Sequence, residues 1–307
     1  MAFTAKDVVA LRERTGVGMM DCKKALAEAD GDMDKAIDIL REKGLAKQAK
    51  KASRVAAEGV AYATVDTAKK VGVLVEVNSE TDFAAKSDKF MDFVSLVAET
   101  IIDGNPADVD ALMAMTCKTG MTLADELRDK VMVIGENLSV RRFVRYEGDC
   151  VSYVHGGGRI GVLVKFEADA AVSGSEALIE CGKDVAMQIA ALNAAYLCKD
   201  SVPAADLERE KDVQLALIKN DPKNANKPAN ILEKMIEGKM KKFFEENCVL
   251  HQAFVKNGDI SVEQYVADCA KAAGGEMKVV DFVRFEKGEG IQKREDDFAA
   301  EVANMVK

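Results

Sequence analysis

The stretch VGVLVEV at residues 71–77 returns 89 residues later as IGVLVKF at residues 160–166. A short alternating run with one tyrosine precedes each copy, VAYATV at 60–65 and VSYVH at 151–155, and an apolar helical pattern follows each. Alternation with period two indicates strands, and apolar spacings of three and four indicate a helix. The sequence therefore predicts an internal repeat whose unit is a β-hairpin followed by a helix.

A third matched piece closes each copy of the repeat. RRFVRYEG lies at 141–148 and VDFVRFEKG at 280–288, and the shared Phe-Val-Arg recurs after 139 residues rather than 89, so the second copy holds 50 residues more. The extra chain falls at 199–245, where two helical patterns flank the polar turn NDPKNANKPAN. That arrangement predicts a protruding helical hairpin. The expected fold class is α+β, with two pseudo-repeated core subdomains.

The two ends of the chain carry helical patterns outside the repeat. Residues 4–42 hold three short helices, the first capped by Thr4 and the third opened by Asp32 or Asp34. REKGLAKQAKKASR at 41–54 carries six Lys or Arg against one Glu and predicts a solvated, helical linker. A C-terminal helix is expected with Phe298, Val302 and Met305 on one stripe. The predicted domains are 1–54, 55–149, 150–198 together with 246–288, 199–245, and 289–307.

The composition excludes several broad classes of protein. A net charge of −9 argues against a general nucleic-acid binder, because duplex affinity comes largely from Lys and Arg at the phosphates. The seven cysteines are scattered with no CxxC pair, which fits free thiols in a reducing compartment rather than a zinc site. The start of the chain has no apolar signal region, and no apolar run approaches 18 residues. We therefore expect a cytoplasmic protein that binds neither membranes nor nucleic acid directly.

Several motifs resemble catalytic or cofactor sites but lack the secondary structure or the further residues that such sites require. Gly156-x-Gly158-x-x-Gly161 matches a dinucleotide fingerprint, but its glycines link two predicted strands instead of a strand and a helix. Asp30, Asp32 and Asp34 alternate like calcium ligands, yet the glycine and the closing glutamate of that loop are missing. The chain has no GxxxxGK[ST] and only two histidines. We expect no catalytic residues, no cofactor and no metal, and hence a protein that is not an enzyme.

One stretch leaves its own structure open. In NSETDFAAKSDKF (78–90), Phe83 is in phase with the apolar stripe that begins at Phe90, which favours a core position. Ser87 and Ser79 offer helix caps on either side, which favours two short helices and an exposed Phe83. The adjacent Met19 and Met20 pose a similar question, because either one of them is exposed or both straddle a small core. The residues alone do not decide.

Three stretches resemble the signature motifs of the bacterial elongation factor Ts family, in the right order. They are LRERTGVGMMDCKKAL (11–26), EVNSETDFAAK (76–86) and YVHGGGRIGVLV (153–164), and the likeness continues through 235–243 and the final segment. The resemblance implies a guanine-nucleotide exchange factor for the GTPase elongation factor Tu. It also implies a ubiquitin-associated-like N-terminal module, a two-part core, a helical-hairpin insertion and a C-terminal helix that grips the same partner.

The resemblance further implies roles for individual residues. Thr81, Asp82, Phe83 and Ala84 match the segment that dislocates the partner's Mg²⁺, with Ala84 where the family usually has Val. The implied contacts with the partner are Arg12, Met19, Met20, Lys23, Ile134, Gly135 and His155.

The same resemblance turns the open question at residues 78–90 into a geometric expectation: a helix break near residue 87, and Phe83 solvent-accessible in the free protein. The turn after His155 is one residue longer than in some relatives. A homodimer or a 2:2 complex with the partner stays open. A passive chaperone that binds the GTPase without exchanging its nucleotide, and an enzyme that uses the glycine loop, are the rival interpretations.

Overall fold

The computed structural model describes residues 3–292 except 222, 223, 225 and 226, and at positions 45–47 and 49 it describes the backbone alone. The predicted C-terminal helix, with Phe298, Val302 and Met305, therefore lies almost wholly outside the described residues. Within them the chain combines helices with small antiparallel sheets, and the predicted α+β class is confirmed.

The N-terminal module consists of three helices, α1 (Ala5–Thr15), α2 (Met19–Glu28) and α3 (Met33–Lys51). Thr4 and Asp7 form a capping box at α1, and the side chain of Asp32 accepts two backbone N–H groups at the start of α3. Leu11 and Leu26 are fully buried in its small core. The basic stretch 41–54 is mostly the second half of α3 rather than a separate linker, because the helix continues unbroken to Lys51.

The first half of the core is a three-stranded antiparallel sheet covered by helices on one face. Its strand order is β1-β2-β3, and the helices pack over the buried residues of the sheet in one hydrophobic core. In chain order the elements are β1 (Glu58–Asp66), β2 (Val71–Ser79), α4 (Asp82–Ala85), α5 (Asp88–Gly104), α6 (Val109–Ala114), α7 (Leu123–Ile134) and β3 (Leu138–Glu147).

The second half repeats that plan with an insertion. Its main sheet has the order β4-β5-β8, and it is covered on one face by α8 and α11. The helices α9 and α10 pack against each other within the stretch predicted as an arm. In chain order the elements are β4 (Asp149–His155), β5 (Ile160–Ala168), α8 (Glu176–Leu192), α9 (Ala204–Asn220), α10 (Ala229–Asn247), β6 (Ala253–Phe254), β7 (Asn257–Ser261), α11 (Val262–Ala272) and β8 (Met277–Glu286).

The two sheets pack face to face through reciprocal glycine–leucine contacts. A Cβ atom on Gly72 would lie 2.7 Å from Leu163 Cδ1, and a Cβ atom on Gly161 would lie 2.5 Å from Leu74 Cδ1. Gly72 and Gly161 are equivalent positions of the repeat, and so are Leu74 and Leu163. Each half therefore uses its glycine to admit the leucine of the other half, and the repeated G-x-L is explained by this close approach.

Within residues 3–221, 224 and 227–292, no helix is both long and apolar enough to cross a membrane. All seven cysteines are free thiols, and most are buried.

Candidate functional site

The stretch 78–90 forms a corner made of two separate helices. Thr81 Oγ1 accepts the Ala84 N–H at 3.2 Å and opens α4, and Ser87 Oγ accepts the Phe90 N–H at 3.3 Å and opens α5. Ala84 and Ala85 are buried beneath the short helix, whereas Phe83 is 83% exposed. The expected helix break and the accessible Phe83 are both present. We call Thr81–Lys86 the first corner.

One detail of that expectation was wrong. Ser79 was an expected cap, but it is the last residue of β2, and its hydroxyl donates to the Thr81 carbonyl oxygen at 2.9 Å. The cap is Thr81, two residues later.

Asp82 is held as a carboxylate beside the exposed phenyl ring. Lys86 Nζ lies 2.6 Å from Asp82 Oδ2, and this hydrogen bond lowers the pKa of Asp82 below its usual value. The positive charge of Lys287 acts in the same direction. Lys287 is itself paired with Glu58 at the start of β1. The first corner therefore presents an anion and a large apolar side chain next to each other.

Two carboxylates clamp the first corner to the loop after α7. Glu136 accepts the Thr81 N–H at 2.9 Å and the Thr81 hydroxyl at 2.6 Å. In the opposite direction, Glu80 accepts the Asn137 N–H at 2.6 Å. Arg54, just beyond α3, lies 3.5 Å from Glu80, and its carbonyl oxygen accepts the Asn137 side chain. We call Glu80, Thr81, Glu136 and Asn137 the carboxylate clamp.

Ile134 and Gly135 lie immediately before this clamp. Ile134 ends α7 and packs partly buried against the core of the first half, while Gly135 is exposed and ends the helix in the left-handed conformation (φ 88°). The Gly135 carbonyl oxygen accepts a hydrogen bond from the ammonium group of Lys51 at the end of α3. The structure thus brings the predicted contact Ile134–Gly135 close to the first corner through a shared loop.

The N-terminal module is seated on α7. Val133 packs against Gly16, and Arg128 and Met132 pack against Gly44 of α3. The predicted contact residues on this module are all exposed, namely Arg12, Met19, Met20 and Lys23. Both methionines face outward, 40% and 64% exposed, rather than one of them, because α2 turns Cys22, Ala25 and Leu26 to the core.

His155 lies at the end of β4, next to the turn that bonds to β1. It is the exposed last residue of β4, and its Nδ1 lies 3.1 Å from the Tyr153 hydroxyl. The three glycines that follow all have positive φ, and the Gly158 carbonyl oxygen accepts the Ala61 N–H of β1 at 2.8 Å. Because α4 also packs against β1, the hairpin tip and the first corner share one support.

Glu76 is a buried charged residue that supports β2 behind the first corner. It is fully buried on β2 and accepts hydrogen bonds from Arg141 at 2.9 Å, Arg142 at 2.6 Å and the Gly288 N–H at 2.7 Å. Burial opposes its charge, but these hydrogen bonds outweigh burial and lower its pKa. A lone charge in the otherwise apolar VGVLVEV was the signal for it.

The glycines after His155 form a turn between β4 and β5, so they do not precede a helix as a dinucleotide loop would. Asp32 caps α3, and Asp34 lies 3.5 Å from Arg14. Within the described part of the chain, no group of three or more His, Cys, Asp or Glu is arranged to hold a metal ion. The exposed groups at the predicted contact positions are an aromatic ring beside a carboxylate at the first corner, a histidine at the β4–β5 hairpin and two methionines on the N-terminal module.

Comparisons with known proteins agree with this architecture. The family model described as Elongation factor TS matches residues 80–289, more than half of the chain. The chain is 51% identical over 309 residues to elongation factor Ts of Clostridioides difficile (strain 630), covering 99% of both chains. It is 48% identical to elongation factor Ts of Trichlorobacter lovleyi, covering 99% of this chain and 98% of the relative. It is also 48% identical to elongation factor Ts of a Nitratiruptor species, over the full length of both. On these grounds the chain belongs to the elongation factor Ts family.

Proposed function

We propose that this protein binds the GTPase elongation factor Tu and promotes release of its GDP during translation elongation, with no chemistry of its own. Membership of the elongation factor Ts family supports the general role. The observation that carries the proposal is Phe83, a large apolar side chain 83% exposed on a capped and clamped corner. An exposed aromatic ring on a well-supported corner costs solvation without helping the fold, and it is typical of a contact residue.

The energetics of exchange define what the contact surface has to supply. Factor and nucleotide weaken each other's binding to the GTPase by the same factor. A thousandfold weakening needs about 4 kcal/mol of contacts made preferentially with the nucleotide-free state. Burying one phenylalanine side chain supplies about 1.5–3 kcal/mol. Phe83 alone therefore provides a large part of the required difference, provided that its binding site exists only when the nucleotide site is distorted.

Asp82 and Phe83 have different roles at the partner's nucleotide site. Phe83 inserts between helices of the GTPase, and Asp82 brings a carboxylate to the polar network around its Mg²⁺. The ion neutralises the nucleotide phosphates, so moving it weakens GDP binding. Asp82, whose pKa is lowered by its hydrogen bond with Lys86, is a carboxylate at neutral pH. Thr81 caps the helix that carries both residues, and Ala84 anchors it in the core.

The remaining contacts hold the factor in place. Arg12, Met19, Met20 and Lys23 dock the N-terminal module on the partner, with methionines that adapt to an apolar surface. Ile134–Gly135 and His155 flank the first corner and contact the same nucleotide-binding domain. Because the module and the loop are both seated on α7, docking of the module sets the direction from which Phe83 approaches.

The function is tested by release of labelled GDP from the GTPase with a small fraction of an equivalent of factor and an excess of free unlabelled nucleotide, which displaces the factor after each round. An exchange factor releases the whole GDP pool through repeated turnover. A passive chaperone releases at most the amount that it binds. Full release by the substoichiometric factor is the expected result, and release limited to the amount of factor would contradict the proposal.

A further inference from the structure

The carboxylate clamp fixes the hydroxyl that caps α4. Thr81 Oγ1 donates to Glu136 at 2.6 Å and accepts the Ala84 N–H at 3.2 Å. A hydroxyl has one proton and two lone pairs, so donation to Glu136 points the lone pairs toward the helix. Glu136 also accepts the Thr81 N–H at 2.9 Å. One side chain therefore determines both the backbone direction and the rotamer of the cap.

Apart from the clamp, the first corner is held by packing on β1 and β2 and by the hydroxyls of Ser79 and Ser87, which donate to main-chain carbonyl oxygens at 2.9 and 2.7 Å. A helix of four residues is too short to be stable on its own. Its apolar anchors, Ala84 and Ala85, are the smallest side chains that can be buried. Hydrogen bonds to a charged acceptor are roughly twice as strong as neutral ones. The two contacts from Glu136 are thus charge-assisted restraints that tie the segment carrying Phe83 to the loop after α7.

The second half of the core builds the equivalent corner without such a carboxylate from the neighbouring loop. Asp169 occupies the cap position there, and its own side chain accepts the N–H groups of Ala171, Val172 and Glu276 at 2.8–3.2 Å. The contribution of Glu276 is made by its main chain. The neighbouring loop thus contributes a side-chain carboxylate only in the half whose corner carries Asp82 and Phe83. In the other half it contributes main-chain groups.

We propose that Glu136 is a positioning residue, which holds the first corner in the orientation in which Phe83 enters the partner GTPase. The inference rests on the proposed exchange function and adds to it a residue that does not itself touch the nucleotide site. Without Glu136 the cap hydroxyl turns freely, and Phe83 samples orientations that miss its binding site. Exchange slows because fewer encounters are productive.

A double-mutant cycle with Phe83 separates positioning from a general structural role. Glu136→Ala should slow GDP release about tenfold, the factor that corresponds to 1.4 kcal/mol. In the Phe83→Ala background the same change should have an effect of less than about twofold, because there is no ring left to position. Glu136→Gln should recover part of the loss, since its amide oxygen still accepts from Thr81. Gly275 stands at the position of Glu136 in the second half, so the control is its neighbour Glu276, which bonds to Asp169 only through its main chain, and Glu276→Ala should leave exchange unchanged.

The outcomes are distinguishable from failure of the proposed function itself. If Glu136→Ala slows exchange equally with and without Phe83, or only in proportion to a lost folded fraction, the positioning role is wrong while the exchange function stands. If Glu136→Ala does not slow exchange, the positioning role is likewise wrong. If the wild type does not accelerate GDP release, both proposals are overturned together. If it does and Phe83→Ala matches it, the exchange function stands while the positioning role of Glu136 is wrong.

Discussion

The two halves of the core build the same corner and place different side chains on it. Thr81 and Asp169 are the caps, and Ser87 and Ser175 begin the following helix in each half. The Ala85 N–H bonds to the Thr81 carbonyl at 3.3 Å, and the Ser173 N–H bonds to the Asp169 carbonyl at 2.8 Å in the corresponding place. Each helix is 17 residues long and ends at an asparagine in the left-handed conformation.

What differs is the pair at the tip of the corner. Counting from the caps, Asp82 and Phe83 of the first half correspond to Ala170 and Ala171 of the second. Both tip positions next to the buried anchor are exposed, Phe83 in one half and Ala171 in the other. Since two alanines are compatible with the same hydrogen bonds, the fold does not require an aromatic ring there. This difference supports the proposal that Asp82 and Phe83 act on a partner rather than on the fold.

The largest expected difference between the halves is the loss of stability when one member of a charged cross-strand pair is replaced. Glu76 faces Arg142 across β2 and β3, and at the equivalent register Lys165 faces Asp281 with the charges reversed. Glu76 is fully buried, whereas Lys165 is half-buried. Glu76→Gln should destabilise the protein by about 1.5–3 kcal/mol, because Arg141 and Arg142 lose the buried carboxylate that they share, while both keep a hydrogen bond to Glu289. Lys165→Met should cost less than about 1 kcal/mol in the same chemical denaturation experiment.

The pH dependence of this contrast follows from the lowered pKa of Glu76. A carboxyl whose pKa is lower in the folded state stabilises the fold above its unfolded pKa and loses that contribution as the pH falls through the folded value. The stability gap between wild type and Glu76→Gln should therefore be full at pH 7 and shrink below the usual glutamate value of 4.5. A gap of equal size at pH 7 and in acid would show that the charge of Glu76 is not what stabilises the sheet.

The comparison of the two corners is tested by replacing Asp82 and Phe83 with alanines, the residues at these positions in the second half. The double change Asp82→Ala and Phe83→Ala should leave the free energy of unfolding within about 0.5 kcal/mol of wild type, as for other surface substitutions. GDP release should slow about thirtyfold or more, the loss expected when about 2 kcal/mol of buried aromatic contact disappears. If the double variant unfolds much more easily, then the two corners are not interchangeable and the argument from the repeat fails.

Asp82 alone should have the smallest effect, and one that depends on Mg²⁺. Asp82→Ala should slow GDP release about three- to tenfold at millimolar Mg²⁺ and less when free Mg²⁺ is low, because a weakly occupied ion site needs less disturbance. Asp82→Asn is the control that keeps the shape and removes the charge. An unchanged Mg²⁺ profile in both variants would remove Asp82 from the displacement of the ion.

The parts that could be predicted from sequence are those with a local or periodic signal. The repeat at Gly72 and Gly161 predicted two matched hairpins, and the hydroxyl at Ser87 predicted the break before Phe90. The carboxylate clamp had no such signal, because Glu136 and Thr81 are 55 residues apart and meet only after the sheet has formed. The cap was misassigned to Ser79 for a related reason, since a sequence does not show which way a hydroxyl turns. The exposure of both Met19 and Met20 followed from packing in a very small core.

The central claim is that Phe83 acts on the partner and not on the fold, and one paired measurement tests it most directly. Phe83→Ala and Phe90→Ala remove the same ring, from an exposed position and from a fully buried one. GDP release from the GTPase and the free energy of unfolding are measured on the same preparations. We expect Phe83→Ala to slow release about thirtyfold with stability unchanged, and Phe90→Ala to lose about 3–5 kcal/mol of stability. Normal exchange by Phe83→Ala, or a loss of stability comparable to that of Phe90→Ala, would contradict the claim.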